Sequence, residues 1–142
     1  MSLFEDYATS PEAEKNGVRV QFTDFWIQCA RAGGANKQYE KELERAMRPH
    51  RHASDTGKLS EDVARGVLKE VYAKTIVKAW GGDGLKKEDG SDWGPCTAEN
   101  VLALFKHPKL DYIFDQVYAT AKNVNRYLET EVAADLGNSQ PS

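Results

Sequence analysis

The sequence predicts a mainly α-helical domain that carries a β-hairpin near its N-terminus. Two patterns indicate this fold. Apolar residues recur every three or four positions through most of the chain after residue 36, which is the period of an amphipathic helix. Between residues 18 and 31 they alternate with polar residues instead, and β-branched and aromatic side chains dominate, as in strands. A chain of 142 residues is expected to form one domain, here over residues 17–136.

The N-terminal region divides into an arm and the hairpin. Residues 1–16 are polar, with four carboxylates and Pro11, so we expect a flexible arm. The two alternating segments of residues 18–31 predict a hairpin that turns near Thr23-Asp24. Gly33-Gly34 follows the hairpin and ends it.

Capping and breaking residues set the predicted helix boundaries. Asn36, Ser60 and Thr97 are good N-caps for the helices that follow them. Pro108 cannot continue a helix, so it predicts a bend between two helices that share one core. Gly137 ends the last helix, and residues 137–142 are expected to be a flexible tail. The predicted helices cover residues 36–48, 60–80, 97–106 and 109–136.

Composition excludes several classes of protein. The formal net charge of −3 provides no overall attraction for nucleic acid. No apolar run reaches the ~18 residues that a membrane span needs, so we expect no membrane partner. The acidic N-terminus lacks the apolar segment of a signal peptide. Cys29 and Cys96 lack a CxxC spacing, which is typical of free thiols in a reducing compartment.

The sequence contains no catalytic constellation, so we expect no enzyme, no metal site and no cofactor. The acidic, glycine-rich loop of residues 81–96 does not match the calcium-binding pattern. His50 and His52 lie beside Arg48 and Arg51, whose charges oppose a bound cation. The glycines that begin the loop lack the Gly-Lys-Ser/Thr ending of a phosphate loop.

Charge is unevenly distributed along the chain. Residues 31–52 carry six Lys or Arg against three Glu, a patch that could meet nucleic acid or an acidic protein. Residues 129–135 are acidic. A basic front and an acidic back would allow head-to-tail self-association into rings or filaments. A solvated surface is the alternative interpretation.

Three stretches of the sequence carry a family resemblance. They are EKNGVRVQFTDFWIQCARAGGANKQYEKELERAMRPHR (14–51), IVKAWGG (76–82) and CTAENVLALFKHPKLDYIFDQVYATA (96–121). The first has a two-strand unit, an Ala-Arg-Ala-Gly segment and an Asn-x-x-Tyr helix that runs to Arg-Pro. The second is a helix ending in tryptophan before a glycine-aspartate loop, and the third is a capped helix, a proline and a final helix. Taken in order, they resemble the tail assembly chaperones of long-tailed, siphovirus-like bacteriophages, although Arg19, Lys86 and Lys87 depart from the family pattern.

This resemblance implies a non-catalytic role in tail morphogenesis. Such chaperones bind and solubilise the tape measure protein in the host cytoplasm, help recruit tail tube subunits, and are absent from the mature virion. Many are also made as a longer fusion by ribosomal frameshifting. The alternatives are a structural virion component, such as a tail-completion or connector protein, and a small nucleic-acid-binding regulator that uses residues 31–52.

A partner-binding site is predicted from aromatic and cationic residues. Trp93 is the strongest candidate, because tryptophan is enriched at binding hot spots and this one lies in the long loop. The apolar stripes of the two long helices are expected to form mostly core, with a groove as the alternative for residues such as Phe114. The predicted partner-binding residues are Trp80, Trp93, Phe105, Arg45, Arg48 and Arg51.

Overall fold

The computed structural model describes residues 2–139 and has a small mainly α-helical fold with a three-stranded antiparallel sheet. The strands are β1 (Val18–Gln21), β2 (Trp26–Cys29) and β3 (Val77–Gly81), in the order β1-β2-β3. Short 3-10 turns cover Arg48–His50 and Val124–Tyr127. The α-helices are α1 (Leu3–Tyr7), α2 (Pro11–Asn16), α3 (Lys37–Met47), α4 (Arg51–Asp55), α5 (Glu61–Thr75), α6 (Ala98–Lys106), α7 (Asp111–Lys122) and α8 (Glu129–Ser139).

The predicted hairpin is confirmed. Strands β1 and β2 pair in an antiparallel register from Val18 opposite Cys29 to Gln21 opposite Trp26. The Phe22 amide donates to the Phe25 carbonyl at 2.8 Å, which closes the turn at Thr23-Asp24. The rings of Phe22 and Phe25 stack with centroids 4.5 Å apart, so an aromatic pair stabilises a turn that has no glycine.

The predicted helix over residues 60–80 is too long, because its last part is a strand. Helix α5 ends at Thr75, and β3 then pairs with β2, with Trp80 opposite Ile27. The β-branched run Thr75-Ile76-Val77 favours extended backbone. The edge of the hairpin offers it partners, and the Ala30 amide donates to the Ile76 carbonyl at 2.8 Å. The hydrophobic period alone could not reveal this pairing.

The expectation of a flexible N-terminal arm is also wrong. Ser2 and Glu5 form a capping box on α1, and Ser10 caps α2. Backbone hydrogen bonds join this region to the C-terminal part of the chain, from the Ser10 amide to the Tyr127 carbonyl (2.8 Å) and from the Glu129 amide to the Ala8 carbonyl (2.9 Å). The polar residues that indicated an arm are caps and pairing partners instead.

The predicted helix over residues 109–136 is interrupted at Asn123. Helix α7 ends at Lys122, and the Asn123 side chain accepts a hydrogen bond from the Asn125 amide at 3.1 Å. A 3-10 turn then buries Tyr127, whose hydroxyl donates to the Cys29 carbonyl at 2.9 Å. Helix α8 runs to Ser139, so the predicted tail is helical over 137–139, and residues 140–142 lie outside the described part of the chain.

The other predicted helices lie close to their expected positions, with one change in capping. Thr97 caps α6 by accepting from the Asn100 amide at 3.1 Å. Asn36 precedes α3 but makes no capping hydrogen bond. Its amide instead donates to the carbonyls of Arg31 (2.9 Å) and Thr75 (3.2 Å), which ties the end of the hairpin segment to the end of α5.

The core lies where α3, α5, α6 and α7 meet one face of the sheet. Phe105 and Phe114 pack edge to face across the predicted bend, with ring centroids 5.0 Å apart, and Tyr72 packs against Phe114 at 5.5 Å. Among the described residues, no helix is long and apolar enough to cross a membrane. The largest fully buried side chains include Tyr72, Tyr127, Phe105, Phe114, Ile27, Ile76, Val71, Val101 and Val117.

Candidate protein-docking site

The loop between β3 and α6 is a compact turn that is held by its own hydrogen bonds. A β-bridge joins Lys86 to Asp92, and the Lys87 amide donates to the Ser91 carbonyl at 2.7 Å. Gly90 sits at the tip with a φ of +89°, a conformation that favours glycine. The Asp89 carboxylate accepts from the Ser91 hydroxyl (2.6 Å) and amide (2.9 Å), and these hydrogen bonds hold the pKa of Asp89 below its usual value. The loop can therefore present side chains in fixed positions.

Two indoles fix the ends of this loop. The Trp93 ring nitrogen donates to the Lys86 carbonyl at 3.1 Å, and the Trp80 ring nitrogen donates to the Gly94 carbonyl at 3.1 Å. The Lys87 ammonium lies 5.5 Å from the centre of the Trp93 ring, within cation–π range. Both tryptophans are half-buried, so each anchors the loop and keeps part of its ring accessible.

The bend between α6 and α7 meets the loop and encloses a small pocket. The His107 ring accepts a hydrogen bond at Nδ1 from the Lys109 amide (3.1 Å), and the Lys109 ammonium pairs with Glu88 at 2.7 Å. This pocket, which we call the Trp93 pocket, has a volume of about 250 Å³. It is lined by Lys86, Lys87, Glu88, Trp93, His107, Lys109 and Leu110.

A second and larger cavity, of about 370 Å³, lies between α5 and α7. We call it the α5–α7 groove. Leu68, Phe114 and Tyr118 supply its apolar lining, and Glu61 and Arg65 supply its charged lining. The Arg65 guanidinium sits 4.9 Å from the Phe114 ring centre and donates to Asp115 at 2.7 Å. Phe114 is 1% exposed, so this arginine covers it in the unbound chain.

The two cavities lie along one side of α7. Leu110 lines the Trp93 pocket, whereas Phe114 and Tyr118 line the groove. These residues are four positions apart, so they fall on the same side of the helix. We call these three residues, Leu110, Phe114 and Tyr118, the α7 strip. Its apolar surface is flanked by ion pairs that cross from α5 to α7, Arg65 with Asp115 and Lys69 with Asp111 (3.3 Å). The arrangement suits an apolar side chain with polar neighbours.

The predicted partner-binding residues do not form one site. Trp80 and Trp93 meet at the loop, as described. Phe105 is fully buried in the core and contributes nothing to the surface. The three arginines are exposed on α3, the adjacent 3-10 turn and α4, and no hydrogen bond or ion pair among the described residues joins them to the loop.

Sequence reasoning offered a groove only as the alternative to core and, apart from Phe114, did not identify its lining. Of the apolar stripes that were either core or groove, Val67, Val71, Ile76 and Val117 are buried in the core. Leu68, Arg65 and Tyr118 were not predicted as site residues. Apolar residues that line a groove recur along a helix at the same spacing as core residues do. That spacing does not reveal how far the helix lies from its neighbour.

The described residues offer no evident metal site or reactive thiol. No group of three or more His, Cys, Asp or Glu side chains within residues 2–139 could hold a metal ion. Cys29 is fully buried, and burial raises the pKa of its thiol well above the usual value. Cys96 is half-buried, and its pKa is raised for the same reason. Since the thiolate is the nucleophilic form, both groups are poor nucleophiles.

Comparison with known protein families identifies a match over most of the chain. The family model described as YdaY prophage protein matches residues 34–138. The matched segment contains α3 to α7, the loop, both cavities and almost all of α8, whereas the hairpin lies before it. No curated protein and no solved structure matches the chain significantly.

Proposed function

The chain belongs to the YdaY prophage protein family and is phage-derived, and from this premise we propose that it is a non-enzymatic tail assembly chaperone. In this role it binds and solubilises the tape measure protein and helps recruit tail tube subunits. It acts in the host cytoplasm during assembly and is absent from the mature virion. The resemblance of residues 14–51, 76–82 and 96–121 to such chaperones supports the proposal.

The observation that carries the proposal is the α7 strip. A tape measure protein is a long, helix-rich chain whose apolar stripes face water until the tail tube surrounds it. An amphipathic helix binds a partner by laying residues at positions i, i+3, i+4 and i+7 into an apolar groove. The α5–α7 groove, with its apolar lining and charged edges, offers a receptor for one such stripe.

The charged edges of the groove favour reversible binding. Arg65 and Lys69 on α5 pair with Asp111 and Asp115 on α7, and the carboxylates are more than half exposed. Exposed ion pairs of this kind contribute at most about 1 kcal/mol each. Arg65 can therefore leave Phe114 when a partner side chain arrives and return when the tail tube displaces the chaperone.

The Trp93 pocket supplies a second anchor at the other end of the strip. Its lining contains three lysines and His107, and two of those lysines already pair with carboxylates, Lys86 with Asp92 and Lys109 with Glu88. Lys87 faces the indole and forms no ion pair among the described residues. A partner aromatic or aliphatic residue next to a carboxylate would fit this pocket.

The proposal is tested by co-expression with the tape measure protein encoded by the same prophage. We expect a soluble complex with several copies of this chain per partner, measured by affinity purification and light scattering. Leu68→Gln should reduce the recovered complex, while Tyr112→Ser, a change at an exposed residue of α7, should not. A tape measure protein that stays insoluble, or a Leu68 variant that binds normally, would contradict the proposal.

Mass spectrometry of purified phage particles separates this function from that of a structural virion component. The chaperone should be missing from particles that contain the tape measure protein. Stoichiometric presence of the chain in the particle would replace the proposal with a tail-completion or connector role.

A further inference from the structure

Helices α1 and α8 form an exposed apolar surface with acidic surroundings. Leu3, Phe4 and Tyr7 of α1 are 69%, 75% and 70% exposed, and Leu136 of α8 is 62% exposed. Leu3 and Phe4 lie four and three positions before Tyr7, so the three side chains share one side of the helix. Exposed apolar clusters with polar surroundings mark interaction sites. We call this surface the α1–α8 face.

The α1–α8 face is held in place rather than loosely attached. The capping box of Ser2 and Glu5 closes the first turn of α1. The segment that follows pairs with the chain before α8, through the bridge between Thr9 and Leu128 and the hydrogen bond from the Glu129 amide to the Ala8 carbonyl. The apolar side chains are thus presented on anchored backbone.

Charge narrows the choice of partner for this face. Helices α1 and α8 contain no lysine or arginine, although the whole chain has a net charge of only −3. Two such faces would repel each other, so a symmetric contact through this surface alone is disfavoured. Arg126 lies 3.9 Å from Asp135 and compensates one carboxylate of the face, and the others favour a partner surface that carries cations. The carboxylates of the face are Glu5, Asp6, Glu129, Glu131 and Asp135.

The same chain carries a suitable cationic surface at residues 45–52, from the end of α3 through the 3-10 turn to the start of α4, and this stretch holds three arginines and no carboxylate. We call it the basic face. Arg45 pairs with Glu42 (3.0 Å), and Arg48 lies 3.9 Å from Glu44. Both arginines are exposed, so these pairings hold them weakly. Arg51 is exposed and forms no ion pair within the described residues. Met47 lies between Arg45 and Arg48 in the sequence and is half-buried. Its flexible side chain can add an apolar contact with a partner.

We propose that the α1–α8 face of one copy binds the basic face of a second copy. The two surfaces are different, so after pairing one copy keeps its basic face free and the other keeps its α1–α8 face free, and the contact repeats head to tail. Opposite charges steer the encounter, and the apolar side chains of α1 are buried in the contact. This inference concerns the chain alone and does not depend on the proposed function.

The test is sedimentation velocity of the purified full-length chain over a wide concentration range. We expect the average molecular mass to rise with protein concentration at low salt. The association should weaken at high salt, because salt screens charges that lie near the surface. A chain that stays monomeric at every concentration at low salt would overturn the inference.

Paired variants locate the contact. The double change Leu3→Ser with Phe4→Ser removes the apolar part of one face, and Arg48→Glu with Arg51→Glu reverses the other. Each should raise the dissociation constant at least about tenfold, the order expected when close opposite charges or apolar anchors are lost at an interface. The controls Tyr112→Ser and Lys106→Glu change exposed residues elsewhere and should associate like the unmodified chain.

Mixing the two double variants distinguishes a head-to-tail contact from a symmetric one. Each variant retains the face that the other has lost, so an equimolar mixture should form mixed dimers and nothing larger. A mixture that stays monomeric, or variants that still associate as strongly as the controls, would overturn the assignment of the two faces. Because only this chain is present, either failure leaves the test with the tape measure protein unaffected.

Discussion

Aromatic residues occupy opposite environments in two regions of this chain. In the α5–α6–α7 region, Phe105 and Phe114 are at most 1% exposed and pack against each other at 5.0 Å. In α1, Phe4 is 75% exposed and Tyr7 is 70% exposed. Removal from water stabilises the fold only in the first case. An aromatic residue therefore indicates a stabilising core where it is buried and a candidate interaction surface where it is exposed.

The largest effect is expected at the centre of the buried region. Phe105→Ala should lower the free energy of unfolding by about 3–5 kcal/mol, because it removes a fully buried ring and leaves a cavity beside Phe114. Chemical denaturation followed by circular dichroism measures this change. The same substitution at the exposed Phe4 is the matched control, and equal losses at the two positions would contradict the contrast.

A smaller effect is expected where the C-terminal segment is tied to the sheet. Tyr127→Phe removes the hydroxyl that donates to the buried Cys29 carbonyl and should cost about 1–2 kcal/mol of unfolding free energy. Tyr112→Phe changes an exposed tyrosine and should cost almost nothing. If Tyr127→Phe also leaves the free energy of unfolding almost unchanged, the hydrogen bond does not hold the segment after α7 on the sheet.

A pH-dependent effect is expected from the ion pairs of α3. Hydrogen bonds from Arg45, together with those from Lys74, hold the pKa of Glu42 below its usual value near 4.5. Since the folded-state pKa is depressed, the stabilisation is present above pH 4.5 and is lost as the pH falls through the folded-state value. Glu42→Gln should therefore destabilise the chain at pH 7 by less than about 1 kcal/mol.

Thermal unfolding of the unmodified chain and Glu42→Gln at several pH values checks this window. The gap between the two melting temperatures should be constant above pH 4.5 and should narrow as the pH falls below 4.5. A gap that does not narrow below pH 4.5 would show that Glu42 acts through packing and not through its charge.

The smallest effect on stability is expected at α1. Phe4→Ser should change the unfolding free energy by less than about 0.5 kcal/mol, because the ring is largely exposed already. The same variant should weaken self-association. If it unfolds the chain as readily as Phe105→Ala does, α1 belongs to the core, and the contrast between the two regions fails.

Capping residues, prolines and the hydrophobic period predicted the helices and the hairpin well where each of them acts within a single helix or hairpin. Thr97 caps α6 as expected, and Pro108 separates α6 from α7. The errors concern contacts between distant segments. Strand β3 exists because β2 offers a partner edge to Val77–Gly81, and the N-terminal region is ordered by backbone hydrogen bonds to residues near 128. A pattern along one segment does not contain these partners.

The candidate site could be predicted only in part, for a similar physical reason. Trp93 stands out in the sequence because a large aromatic residue is unusual in a glycine-rich loop, and the structure places it in a pocket. Phe105 is also a large aromatic residue but is buried in the core. The groove depends on the separation of α5 and α7, which is set by the side chains between them and by the turns that connect the helices. No spacing along one helix reports that distance.

The most direct test of the account is site-specific photo-crosslinking in the co-expressed complex. A photoreactive amino acid at position 68, in the groove lining, should crosslink to the tape measure protein, whereas one at position 112 should not. We expect crosslinks from position 68 that map to an amphipathic helix of the tape measure protein. Crosslinks of equal yield from both positions, or from position 112 alone, would contradict the claim that the α5–α7 groove binds this partner.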